Sequence, residues 1–222
     1  MSAKCSCCGS FEKPSENNLT SHWDKTYTRD VEKLGWYEDN PEQSLKLIKK
    51  CNLKKDATIL NVGAGASTLI DELVKLDYKN IIANDISSNA LNKLKERIGN
   101  DSSKVKWVVD DLTHPTELNN IGEIDLWHDR AVLHFFNEPA EQNSYFNLIQ
   151  KLVKKNGFVI IASFNLDGAE KCSGLYVFRY NLEMIQKRLG SNFELIEAFD
   201  HTYKMPSGDT REYVYTLFQR KN

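Results

Sequence analysis

Three groups of residues at the ends of successive predicted strands have the types and spacing to hold one ligand. The first is Leu60-Asn61-Val62-Gly63-Ala64-Gly65-Ala66-Ser67, where a short β-branched run meets a helical pattern. Gly63 and Gly65 let the backbone turn sharply and approach a ligand with no Cβ in the way. Ser67 can cap the helix, whose N-terminal amides face the same crevice. The second is Asp85, twenty-two residues after Gly63 and directly after the next strand. A carboxylate there can accept hydrogen bonds from both hydroxyls of a ribose. The third is Val109-Asp110-Asp111-Leu112, after the third strand. Its acids can reach an adenine amino group, with Leu112 against the ring. Singly, these are a tight turn, a cap and a solvated loop acid. Together they describe an edge that binds an adenosine unit. A dinucleotide fingerprint would place glycine three residues after Gly65, where the chain has Thr68. That glycine serves close helix–strand approach beneath a pyrophosphate, a requirement that lapses for a cofactor without phosphate such as S-adenosylmethionine.

The elements that must position these groups can be read from periodicity. Leu19–Val31 predicts a helix with Trp23 and Tyr27 one turn apart. Gly35-Trp36-Tyr37 reads as a turn, and Asn40-Pro41 as an N-cap and first helical residue, with the helix running to about Cys51. Strands are expected at Thr58–Val62, Asn80–Asn84, Val105–Val109, Ile124–Trp127 and Phe158–Ser163. Helices over Ser67–Leu76, Ser87–Ile98 and Glu138–Lys154 alternate with them, which implies an α/β fold with a parallel sheet covered on both faces. After a helix at Leu182–Leu189, strands Phe193–Asp200 and Arg211–Gln219 flank the turn signal Pro206-Ser207-Gly208-Asp209, so an antiparallel hairpin should close the sheet.

Composition bounds the rest. The 222 residues show no linker, repeat or low-complexity tract and are 41% hydrophobic, which fits one domain over 19–222 behind a tail at 1–18. That tail, expected to be disordered, holds Cys5, Cys7 and Cys8, a thiolate group suited to a soft metal but short of a fourth ligand, so no metal is assigned. A net charge of -2 gives no field favouring nucleic acid, and the Lys-rich stretches have the spacing of solvated helix faces. No apolar run is long enough to span a membrane, and the N-terminus lacks the apolar core of a signal peptide, so the expected location is cytoplasmic.

With these motifs in place, the chain from about Trp23 to its C-terminus resembles the class I S-adenosylmethionine-dependent methyltransferases. The resemblance implies a Rossmann-like, doubly wound seven-stranded sheet of order 3-2-1-4-5-7-6 with strand 7 antiparallel. It implies that Gly63, Ala64 and Gly65 lie near the amino-acid part of the cofactor, Asp85 on the ribose and Asp111 on the adenine, with Ile86 and Leu112 sandwiching the ring. The opening His22-Trp23-Asp24-Lys25-Thr26-Tyr27 is similar to a subgroup that includes lysine methyltransferases acting on elongation factors. In that subgroup the aromatics of the first helix close over the methionine end, which makes Trp23 and Tyr27 candidates. One position departs: many members carry an acid two places before the first glycine, and this chain has Asn61, so Asp129 is expected to offset the cofactor's charge instead.

Methyl transfer is an in-line displacement at a sulfonium carbon, in which alignment and exclusion of water supply most of the rate. A base is needed only for an acceptor that arrives protonated. His128, Asp129 and His134, following the fourth strand, are the candidates, with His128 also a possible cofactor contact. The long loop Phe164–Gly174, with Cys172, is the expected acceptor wall, alongside Trp36, Tyr176, Arg179 and Tyr180. Three functions remain open: methylation of a small molecule (a thiol, amine or carboxylate), methylation of a protein lysine, and cofactor binding without catalysis. The lysine reading predicts an acidic or aromatic rim, with Asp129, Asp167 and Tyr180 as candidates. Oligomeric state is not encoded in any motif.

Overall fold

The alternation of apolar runs and amphipathic segments builds one large sheet with helices on both faces. A computed structural model describes residues 16–65 and 67–221, so Cys5, Cys7 and Cys8 lie outside the described residues. In chain order the elements are α1 (Glu16–Thr26), α2 (Glu42–Lys50), β1 (Thr58–Val62), α3 (Leu69–Lys75), β2 (Asn80–Asp85), α4 (Ser88–Ile98), β3 (Val105–Val109) and β4 (Ile124–Arg130). Then follow α5 (Pro139–Leu152), β5 (Val153–Phe164), β6 (Lys171–Cys172), β7 (Leu175–Tyr176), α6 (Leu182–Leu189), β8 (Phe193–Lys204) and β9 (Thr210–Arg220). The sheet order is β3-β2-β1-β4-β5-β9-β8. With the two-stranded β6/β7 hairpin set aside, this is the order implied by resemblance. Strands β1 to β5 pair in parallel, and β9 runs antiparallel to both β5 and β8.

Parallel strands covered on both faces need apolar residues at successive positions, not alternating ones. Ile59 and Leu60 are both fully buried, but in different cores. Ile59 packs with Leu126 and Ile160 against Leu47 of α2, Leu73 of α3 and Leu94 of α4. Leu60 packs with Trp127 and Ile161 against Tyr145 and Ile149 of α5 and Ile185 of α6. Burying such side chains contributes about 1.5–3 kcal/mol each, and truncating one to alanine costs about 2–5 kcal/mol. The order reverses between β1 and β4, so the ligand crevice belongs at the carboxyl end of these two strands.

Several boundaries differ from expectation for identifiable reasons. Helix α1 stops at Thr26, and a separate turn of 3-10 helix covers Val31–Lys33, capped by Asp30. Pro41, not Asn40, stands at the cap of α2 and makes no side-chain cap bond. Strand β4 runs three residues past Trp127, carrying the polar His128, Asp129 and Arg130 into the sheet. The loop after β5 is not irregular: Ser173 and Gly174, with φ of 51° and 80°, turn the β6/β7 hairpin. Among the described residues, no helix is long and apolar enough to cross a membrane.

Candidate functional site

The glycine loop leaves β1 with both glycines left-handed, each at φ 53°. Neither position tolerates a side chain. A β-carbon on Gly63 would overlap Val132 and one on Gly65 would overlap the Tyr27 hydroxyl. The loop is tied to its neighbours by backbone and carboxylate bonds. The amide of Ala64 donates to the carbonyl of Asn84 (2.7 Å). Asp85 accepts from the Gly65 amide through Oδ2 and the Ser87 amide through Oδ1, both at 2.8 Å. Burial raises the Asp85 pKa to about 6, against the pull of those amides. Asn84 Nδ2 then donates to the carbonyls of Val108 and Asp110, lacing β2 to the end of β3.

The two acids after β3 have different duties. Asp110 accepts from the amides of Thr116 and Leu118 and from the Thr116 hydroxyl, so its carboxylate organises the following loop. Asp111 accepts from the Thr113 amide and hydroxyl through Oδ1 alone. Both line the same cleft. Of the predicted residues, that cleft brings together Trp23, Tyr27, Trp36, Gly63, Asp85, Ile86, Asp110, Asp111, Leu112 and Cys172. Ala64 and Gly65 sit behind this lining in the loop itself.

An aromatic cover closes one end. Trp23 meets Phe135 and Trp36 edge-on, with ring centroids 5.0 and 5.6 Å apart, and Trp36 Nε1 donates to the Tyr27 hydroxyl (3.2 Å). Asp24 pins α1 to the start of α4 by accepting from the Ser87 hydroxyl (2.6 Å) and the Asn89 amide (3.3 Å). On the other side His22 Nε2 lies 3.3 Å from the Ser173 hydroxyl, joining α1 to the β6/β7 hairpin. Below Trp36 and Cys172, which belong to both walls, a second cavity opens toward Phe164, Lys171, Arg211 and Tyr213.

The proposed acid–base group is not in the cleft. His128 is 2% exposed, with Nδ1 against Asn61 Oδ1 (2.7 Å) and Nε2 against the Ser44 hydroxyl (2.9 Å). Burial, aided by Arg130, lowers its pKa to about 3, so it is a neutral side chain, and it lines an adjoining pocket that shares Trp36, Gly63 and Arg130 with the cleft. Asn61 is therefore a partner of His128. Asp129 faces the opposite core, accepting from the Val132 and Leu133 amides and from the Tyr145 hydroxyl (2.6 Å). Burial raises its pKa to about 7. It does not line the cleft, but its carboxylate holds the amide of Val132, which does. His134 is fully buried against Phe164, with centroids 4.4 Å apart, and burial lowers its pKa to about 3. Tyr180 is 1% exposed in the core beside Phe178, and Asp167, Tyr176 and Arg179 line neither cavity, so no acidic rim forms from the expected residues.

Sequence reasoning missed Arg130, Val132, Phe135 and Asn84, which also line the cleft. Arg130 had a signal: a guanidinium at the end of an apolar strand must find partners. It finds the Glu38 carboxylate (3.0 Å), the Tyr215 hydroxyl (3.1 Å) and the Trp36 carbonyl (2.9 Å).

Known proteins resemble this chain. The human protein EEF1A lysine methyltransferase 2 is 27% identical over 166 residues, covering 68% of this chain and 70% of the relative. The Danio rerio protein of the same name is 23% identical, with 82% of each chain covered. Among solved structures, a methyltransferase of Anabaena variabilis superposes with TM-score 0.72 at 13% identity, covering 96% of this chain and 99% of that one. The N-methyltransferase NodS of Bradyrhizobium japonicum, solved with S-adenosyl-L-homocysteine, gives 0.70 at 14% identity over 92% and 100%. The family described as "Methyltransferase domain" matches residues 53–222. The chain belongs to that family: it is a class I methyltransferase whose methyl donor is S-adenosylmethionine.

Proposed function

We propose that this enzyme methylates a small molecule that reaches the cofactor cleft through the second cavity. One observation carries the reading: Trp36 and Cys172 are walls of both spaces, so an acceptor in the second cavity meets the covered end of the cleft. In this reading the Gly63–Gly65 loop receives the amino-acid end of the cofactor. Asp85 accepts from the ribose hydroxyls, held in orientation by its bonds to Gly65 and Ser87. Asp111 reaches the adenine, and Ile86 and Leu112 flank its ring. Trp23, Tyr27 and Phe135 exclude water from the reacting end.

S-adenosylmethionine supplies an activated methyl group on a positively charged sulfur. In this reading the protein's task is alignment, supported by the neutrality of His128 and His134 and by the burial of Asp129 away from the cleft lining. In this reading the acceptor arrives with a free lone pair, which suits a thiolate, a carboxylate or an unprotonated amine.

A protein lysine acceptor is the second reading, supported by the similarity to EEF1A lysine methyltransferase 2. Incubation with radiolabelled cofactor against a metabolite pool and, separately, a proteome tests both. Label in low-molecular-weight product supports the first reading, and label confined to a protein band overturns it in favour of the second. No transfer to either would favour a cofactor-binding protein without catalysis.

A further inference from the structure

The second cavity is distinguished by charge. Its wall carries Arg29, Lys33, Lys171 and Arg211, against Asp30 as the one carboxylate among the described lining residues. Asp30 pairs with Lys33 at 3.1 Å, which leaves Arg29, Lys171 and Arg211 uncompensated by any acid in that wall. This concentration of positive charge occurs in a chain whose net charge is -2, so it is local and not a consequence of composition. Such a field draws anions in and repels cations, an effect on encounter rates of about 10-fold or more at low salt.

A second feature lies in the cleft wall, in contact with Tyr213 of the basic cavity. Arg130 rests over the rings of Tyr203 and Tyr213, at 4.8 and 5.1 Å, and Tyr213 is itself part of the basic cavity's wall. Nε and Nη1 are engaged by Glu38, Tyr215 and Trp36. Nη2 is buried with no hydrogen-bond partner among the described residues, on a side chain 10% exposed that lines the cleft. A buried guanidinium donor left unpaired costs free energy that an oxyanion would recover.

We infer that the acceptor bears an oxyanion, a carboxylate or a group of like charge, which the basic cavity attracts and Arg130 Nη2 receives in the cleft. The inference rests on the second cavity being the acceptor's route. It adds the chemical class: an anionic small molecule, not a free cationic amine. A lysine side chain would enter this field at a disadvantage.

Cys172, in the wall of both cavities, gives a direct probe that needs no knowledge of the acceptor. The full-length protein is treated with an anionic methanethiosulfonate (sulfonatoethyl) and a cationic one (trimethylammonioethyl). Modification of Cys172 is followed by peptide mass spectrometry, and each rate is divided by that reagent's rate with 2-mercaptoethanol. The normalised rate should favour the anion about 10-fold at low ionic strength, shrink as salt screens the exposed charges, and invert in the Lys171→Glu/Arg211→Glu double variant. Equal rates, or a preference for the cation, would overturn the inference while leaving the test of methyl transfer untouched. The oxyanion at Arg130 has a second possible source, the cofactor's own carboxylate. Affinities of Arg130→Lys for S-adenosylhomocysteine and for 5′-methylthioadenosine, which lacks the amino-acid end, separate the two. Equal changes for both ligands keep Arg130 with the acceptor. A selective loss of 10-fold or more for S-adenosylhomocysteine reassigns it to the cofactor and overturns that part of the inference.

Discussion

The Tyr27 hydroxyl fills the space where Gly65 would carry a β-carbon, so the cover helix and the glycine loop are fitted to each other atom against atom. The contact predicts a specific non-additivity. Gly65→Ala forces a side chain into that hydroxyl and into a left-handed backbone, at an overpacking cost of about 1–3 kcal/mol. Tyr27→Phe removes the obstructing oxygen, and the double variant should recover part of the loss. Urea unfolding of the four proteins in the cycle measures it. Strict additivity would mean that the two residues are not in contact in solution.

Asp85 is asked to do two things at once: brace the loop through two amides and bind the ribose. Asp85→Ala removes both, and we expect no measurable heat on titration with S-adenosylhomocysteine. Asp85→Asn keeps only one acceptor oxygen for the two amides and should bind at least ~100-fold more weakly, consistent with about 1.5–3 kcal/mol for each bond to a charged group. Asp111→Ala, with its neighbouring loop held by Asp110, should lose only about 10-fold, the scale of one such bond. Undiminished affinity in Asp85→Ala would contradict the ribose assignment.

The strand ends were legible because the glycines and acids stand at fixed offsets from β-branched runs, and Gly63, Asp85, Asp110 and Asp111 do converge on one cleft. What periodicity could not resolve was the fate of polar residues inside β4. Successive residues in a strand face opposite ways. His128 therefore points to Ser44 and the pocket adjoining the cleft, while Asp129 points to Tyr145 in the opposite core, and neither lines the cleft itself. Tyr180 was misread for a different reason. Its amide donates to the Phe164 carbonyl, and that backbone bond returns the chain to the sheet before the side chain can reach the acceptor side.

The same burial predicts the shape of the rate profile. A general-base histidine gives an inflection near its pKa in kcat/KM. His128 and His134, held near 3 by burial and by Arg130, are neutral throughout the working range. We expect no histidine limb between pH 5.5 and 8, which is an order-of-magnitude window about the free value near 6.5. Any inflection should move with the acceptor used. His134→Phe, which preserves the stack on Phe164, should keep kcat within about 3-fold, far short of the 10²–10⁴ expected for losing a base. A drop of 100-fold with folding intact would restore His134 to the chemistry.

Four buried groups also set how stability depends on pH, and their signs oppose. Asp85 and Asp129 titrate near 6 and 7 when folded, above the value of about 3.9 for an unfolded aspartate. The native state binds those protons more tightly, so their contribution is present at low pH and lost as pH rises through 6 and 7. His128 and His134 titrate near 3 when folded, below the unfolded value of about 6.5. Their contribution is present above that value and lost as pH falls. Between about pH 4.5 and 6.5 roughly two protons favour each state, and the slopes nearly cancel. The contribution of these four groups to wild-type stability should be almost flat there. Asp129→Asn removes one titrating aspartate and leaves about one proton uncompensated, so stability should fall by about 1.4 kcal/mol for each unit of acidification across that window. Urea midpoints at fixed ionic strength read this slope directly. A variant as flat as the wild type would show that Asp129 is ionised in the folded protein well below pH 7.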